Sequence, residues 1–247
     1  MKKVLLSLTM LAIISTPVLA KSPVANLKIN GDIKPPTCTI NGATQSDVLF
    51  DYGRISPSLI PQSKIYSYSG IVAHNVVTVE CDAKTYLTFV ASDTYGDTEL
   101  SVNNTSEWFH LVDKSNPENA VGAADFIWSD ATVDGKPAFI SRANDVAITG
   151  KAYKNVLYKG PIYGWTSEQQ SDVDKNALAL ISGQVFQSNF KHGNANSNSN
   201  GNSNSNSNGN SNGTFILSKD ELSKKGIDLS NGLDFIGEAV LTFNFGV

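Results

Sequence analysis

Three histidines, two cysteines and scattered acids are the side chains in this sequence best equipped for catalysis or metal binding, and their spacing decides what they can do. His74, His110 and His192 stand far apart, and none lies in a His-Glu-x-x-His or comparable metal-ligating pattern. His110 falls in an aromatic run beside Trp108 and Phe109, where a packed ring is expected rather than a catalytic one. Asp130 and Asp134 lie in turn-like stretches and are expected in solvent. With no nucleophile, base and electrophile set in register, the expectation is a protein that is not an enzyme and holds no metal or cofactor. The remaining chemistry belongs to Cys38 and Cys81. They form no Cys-x-x-Cys motif, and an even cysteine count in an exported chain reads as one structural disulfide.

Export follows from the first twenty residues. Lys2 and Lys3 precede a short apolar run over 4–14, and Val18-Leu19-Ala20 offers a small-residue cleavage site. This is the pattern of a secretory signal peptide over 1–20. The run is shorter than the roughly 20 apolar residues that cross a bilayer, and no later stretch approaches that length. The full chain carries 19 Lys and Arg against 23 Asp and Glu, a formal charge of −4. Loss of the leader, with its two lysines, makes the balance more acidic still. No basic block exists, so neither nucleic acid nor an anionic membrane surface is expected as a partner.

The elements that must position these residues are strands. Period-two alternation runs through 48–53, 75–81, 84–92, 107–113, 124–130, 151–160, 177–190 and 237–247. Asp134-Gly135-Lys136-Pro137 and the Gly160–Gly164 stretch read as turns between them. Helix signals are few. Ser218 with Glu221 resembles a capping box that Gly226 would close after one or two turns, and Ser167 with Gln170 suggests another short turn. The tract 194–213, built of Asn, Ser and Gly, has almost nothing apolar to bury and is expected as a surface loop. The expected fold is therefore an all-β antiparallel sandwich or barrel.

Both ends of the exported chain alternate. Over 24–33, Ala25, Leu27, Ile29, Gly31 and Ile33 share one face, and Val24, Asn26, Lys28, Asn30 and Asp32 the other. Near the far end, Leu241, Phe243, Phe245 and Val247 share a face.

These stretches carry a resemblance. Leu-Lys-Ile-Asn-Gly-Asp-Ile followed by Cys38, a second cysteine at Cys81 closing Val-Val-Thr-Val-Glu-Cys, and a final Gly-Glu-Ala-Val-Leu-Thr-Phe-Asn-Phe resemble the pattern of chaperone–usher pilins, in particular a divergent branch of enterobacterial fimbrial-like proteins. The resemblance implies an immunoglobulin-like sandwich missing its last strand, with residues 21–33 as a donor extension and 34–247 as the pilin-like domain. It implies that Ala25, Leu27, Ile29, Gly31 and Ile33 fill a groove in another subunit. Leu241, Phe243, Phe245 and Val247 would line the acceptor groove and contact a periplasmic chaperone. An outer-membrane usher would then exchange the chaperone for the extension of the next subunit, head to tail, giving a cell-surface fimbrium that supports adhesion. The chain departs from the family where Gly246-Val247 follow Phe245, in place of a next-to-last tyrosine.

Two other readings remain open on the residues alone. Both terminal strands could belong to one complete sandwich. Alternatively, Trp108, Tyr163 and Trp165, in the aromatic stretches 106–111 and 160–165, could form a shallow platform for host glycan. That second arrangement would be a self-contained secreted carbohydrate-binding adhesin domain.

Overall fold

The computed structural model describes residues 25–68, 75–102, 105–143, 155–169, 179–192 and 213–245. The signal segment 1–20, Val24, His74, Gln170, Val247, most of the 194–213 tract and part of the 151–160 stretch lie outside the described residues. The chain divides into two units, 1–34 and 35–247.

In the first unit, residues 25–34 form no strand, and Leu27, Ile29 and Ile33 are almost wholly exposed. This departs from the strand expected there. Alternation alone supplies no hydrogen-bonded ladder, and a strand exists only beside a neighbour.

The second unit is all-β with antiparallel pairing, a sandwich-like arrangement of two sheets. Its elements are β1 (Cys38–Ile40), β2 (Tyr66–Ser67), β3 (Asn75–Asp93), β4 (Phe109–Asp113), β5 (Asn116–Ala124), β6 (Phe126–Val133), β7 (Lys136–Pro137), β8 (Phe139–Ala143), β9 (Ile162–Thr166), β10 (Ser182–His192), β11 (Phe215–Ile216), helix α1 (Lys219–Lys224), β12 (Phe235–Ile236) and β13 (Ala239–Phe245). The larger sheet runs β7-β6-β10-β3-β9-β8, with β1 and β13 also paired to β3. The smaller runs β12-β4-β5-β11-β2.

Strand β3 organises the larger sheet. Valine, threonine and aromatic residues suit a pleated, half-buried surface, and Val77, Val79, Cys81, Leu87, Phe89 and Ala91 all turn one face into the core. The two strands expected at 75–81 and 84–92 are thus one. Cys38 lies directly opposite Cys81 in the β1–β3 register, and the two form the disulfide. The turn at Asp134-Gly135 holds both residues at positive φ, 50° and 73°, as a two-residue hairpin connection requires.

A second apolar cluster packs Leu217, Leu222 and Ile227 against Trp108, Phe215 and the buried run Ala120–Ala124 of β5. With both faces covered, β5 shows no alternation, so the period-two signal misses it. Gly122 is needed there, because a Cβ would lie 2.1 Å from the Phe215 carbonyl oxygen. Helix α1 starts where the capping box places it, with the Glu221 amide donating to Ser218 Oγ at 3.2 Å, and Gly226 follows at φ 77°. The Gly160–Gly164 stretch, expected as a turn, instead feeds β9. Of the strand expected over 151–160, the described part makes only isolated bridges, through Val156 and Lys159. No helix among the described residues is long and apolar enough to cross a membrane.

Candidate functional site

The C-terminal segment 235–245 crosses from one sheet to the other: β12 pairs with β4, and β13 pairs with β3 from Ala239↔Asp93 to Phe245↔Leu87. Gly237 marks the crossing. A Cβ there would lie 2.6 Å from Leu111 Cδ2 and 2.8 Å from the His110 carbonyl oxygen.

Hydrogen-bond parity then fixes what the other edge presents. The Lys114 amide donates to the Asp234 carbonyl at 2.9 Å, and the Thr94 amide to the Glu238 carbonyl at 3.1 Å. Even-numbered residues therefore turn their backbone groups toward β4 and β3. By the alternation of an antiparallel ladder, Phe235, Ala239, Leu241, Phe243 and Phe245 turn theirs away. No described strand pairs with that edge. The same residues point their side chains inward. Ala239, Leu241 and Phe243 pack half-buried against the main core cluster, and Phe245 stays 40% exposed.

Beside this edge lies a cavity of about 1040 Å³. Its lining comes from two stretches, 44–50 with Tyr52, and 235–243 with Phe245, together with Val77, Val79, Phe109, Leu111, Phe126 and Phe190. Residues 46–52 alternate between half-buried and exposed, with Val48 and Phe50 packed against the core. They form no strand, contrary to the expectation at 48–53. The segment is patterned for a sheet, but no strand among the described residues pairs with it. Its far end is anchored by Tyr52, whose ring sits 4.7 Å from Tyr68 and 5.2 Å from His192. Burial pushes the Tyr52 phenol well above its ordinary value, against the smaller lowering effect of the Thr214 hydroxyl. The cavity is lined along the length of 235–245 and stands at the upper end of the volumes usual for small-molecule sites. Its shape and its row of outward backbone groups suit an extended polypeptide.

Of the residues expected to form the site, Leu241, Phe243 and Phe245 come together on the groove, and Cys38 lines it beside the disulfide. Val247 lies outside the described residues. Ala25, Leu27, Ile29, Gly31 and Ile33 belong to the other unit, exposed and without strand structure. The glycan platform is corrected: Trp108, Tyr163 and Trp165 are all buried, at 3% exposure or less. Trp108 packs on Phe215 in one cluster, while Tyr163 and Trp165 pack around Phe89 in the other. Alternating aromatics fill cores before they make platforms.

His110 is packed, as expected. It is fully buried, its Nδ1 lies 2.8 Å from the Tyr95 carbonyl, and its amide donates to Asp93 Oδ2 at 2.9 Å. Asp134 is exposed but not idle: its Oδ1 accepts the Gln184 and Val185 amides at 2.9 Å each, across the bulge in the β3–β10 pairing. Those bonds hold its carboxyl below the usual range. Among the described residues no group of three or more His, Cys, Asp and Glu side chains is arranged to hold a metal ion. The groove residues that sequence reasoning misses are Val48, Phe50 and Tyr52 as binding surface and Gly237 as the crossing point. For the first three the signal is the alternation over 46–52, which by itself reads as an ordinary strand. Compared with protein-family models and with curated proteins, the chain matches none.

Proposed function

We propose that the protein is a pilin-type fimbrial subunit that polymerises by strand donation. In this reading its sandwich is immunoglobulin-like and lacks one strand. A periplasmic chaperone occupies the groove first, and an outer-membrane usher exchanges it for the N-terminal extension of a neighbouring subunit. The product is a surface filament that supports adhesion.

The observation that supports the reading is the open edge of 235–245 above a half-buried apolar row. An edge of this kind is an aggregation hazard unless a partner covers it. Strand addition satisfies it fully, because main-chain bonds supply the pairing and alternate side chains enter the cavity. The chain carries a segment of the matching pattern at 25–33, unpaired and exposed. Such contacts are head-to-tail and propagate as an open fibre.

The test appends residues 22–33 after Val247 through a flexible linker and measures urea unfolding. Occupation of the groove should raise the unfolding free energy by about 3 kcal/mol, the scale for burying two aliphatic side chains less their ordering entropy. Leu27→Asp with Ile29→Asp in the appended copy should cancel the gain. An appended strand that adds nothing means the sandwich is already complete, and the proposal fails.

A further inference from the structure

The cavity walls carry charge of one sign. Asp47 and Glu238 line it, and no lysine, arginine or histidine does so among the described residues. Both carboxylates are on exposed residues beside an apolar interior. Glu238 is held in place, its Oε2 accepting the Thr94 hydroxyl at 2.5 Å. Charges at the rim of a low-dielectric surface interact more strongly than charges in bulk water.

Resting on the strand-donation reading, we infer that the groove selects its occupant by charge, that Lys28 is the selecting residue, and that the occupant is a second copy of this chain. Within 25–33 the only cation is Lys28, and it falls between Leu27 and Ile29. When those two aliphatic side chains enter the cavity, strand alternation turns Lys28 outward. Its long apolar stem lets the ammonium reach sideways to a rim carboxylate. The one acid of the segment, Asp32, lies further along and is paired with Lys34. The chain's own extension therefore combines the apolar phase the groove takes with the charge its rim favours. An extension with an acid at the position of Lys28 would meet like charge, and rejecting the wrong partner in this way is how interfaces gain specificity.

The experiment uses the full secreted chain at a dilution where sedimentation shows a monomer, and fluorescently labelled peptides of residues 22–34 as probes. Anisotropy is read at low and high salt. Lys28→Glu in the peptide should weaken binding about fivefold to tenfold at low salt, the scale of one or two exposed charge pairs reversed. The gap should narrow at high salt, and Lys28→Arg should bind like the natural peptide. Asp47→Asn with Glu238→Gln in the chain should bring the natural and Lys28→Glu peptides to equal affinity. Equal binding of the two peptides to the unaltered chain overturns charge selection while leaving strand donation intact. If no peptide binds, including an alternating Leu/Thr peptide of the same length, strand donation itself is overturned and this inference falls with it.

Discussion

The ring of Phe243 lies 5.6 Å from that of Phe89, joining a half-buried groove side chain to a fully buried core one. Phe89 in turn touches Tyr163 and Trp165 at 5.2 and 5.6 Å. The floor of the groove is thus continuous with the core of the larger sheet, and its two ends differ in what they cost to remove.

Truncating Phe89 to alanine should destabilise the fold by about 3–5 kcal/mol, the usual range for a buried phenylalanine. Phe243→Ala should cost about half as much, because part of its ring is already in water. With residues 22–33 appended, the Phe243→Ala cost should rise toward the Phe89 value. Urea titrations of the natural chain, the two single variants, the appended chain and its Phe243→Ala variant check this, and an unchanged Phe243→Ala cost would mean the appended strand does not cover that ring.

Opening the Cys38–Cys81 bridge frees a loop with a sequence separation of 43. On the chain-entropy relation the loss is about 4 kcal/mol. Replacing both cysteines with serine and comparing midpoints with the native protein measures it. The bridge joins β1 to β3 beside the groove, so peptide affinity should fall with stability in the same variant.

Acid should act through Asp134. Its carboxyl lies below the usual range because the Val185 and Gln184 amides donate to it. A depressed folded value contributes stability above the ordinary aspartate range, near pH 4, and that contribution is lost as pH falls through the folded value. Asp134→Asn should flatten the stability–pH curve below about pH 4 and leave it unchanged in form above. Thermal midpoints of both proteins across that window decide the matter.

Alkali should act through Tyr52. Burial raises its phenol above the ordinary value near 10. A raised folded value contributes stability that is whole below about pH 10 and declines above it, since the unfolded chain ionises first. Tyr52→Phe should lessen the decline above pH 10 while losing the contact to the Thr214 hydroxyl, 3.5 Å away. An equally steep alkaline decline in the variant would place the effect elsewhere, for instance on Tyr68, whose phenol burial also raises.

Gly237 admits no side chain. An added Cβ would sit 2.8 Å from a backbone carbonyl that cannot swing aside. Gly237→Ala should therefore cost about 1–3 kcal/mol, the scale of overpacking, and shift the crossing of 235–245 enough to weaken peptide binding. Circular dichroism melts together with anisotropy would show whether both fall.

Local pattern in the sequence was enough for the all-β class, the disulfide pair, the capped helix at Lys219–Lys224 and the shared face of Leu241, Phe243 and Phe245 in β13. Each depends on signals a few residues long: period-two alternation, cysteine count, a capping serine and a closing glycine. Three features were beyond it. Ala120–Ala124 of β5 is buried on both faces and so carries no period. The aromatic residues Trp108, Tyr163 and Trp165 could be assigned to core or surface only once their neighbours were known. Whether an alternating segment becomes a strand depended on a partner: 46–52 and 25–34 alternate like β13 but have no ladder among the described residues, because hydrogen-bond pairing joins residues distant in sequence. Among the described residues that non-local choice leaves one edge of β13 without a pairing strand, and the groove lies along it.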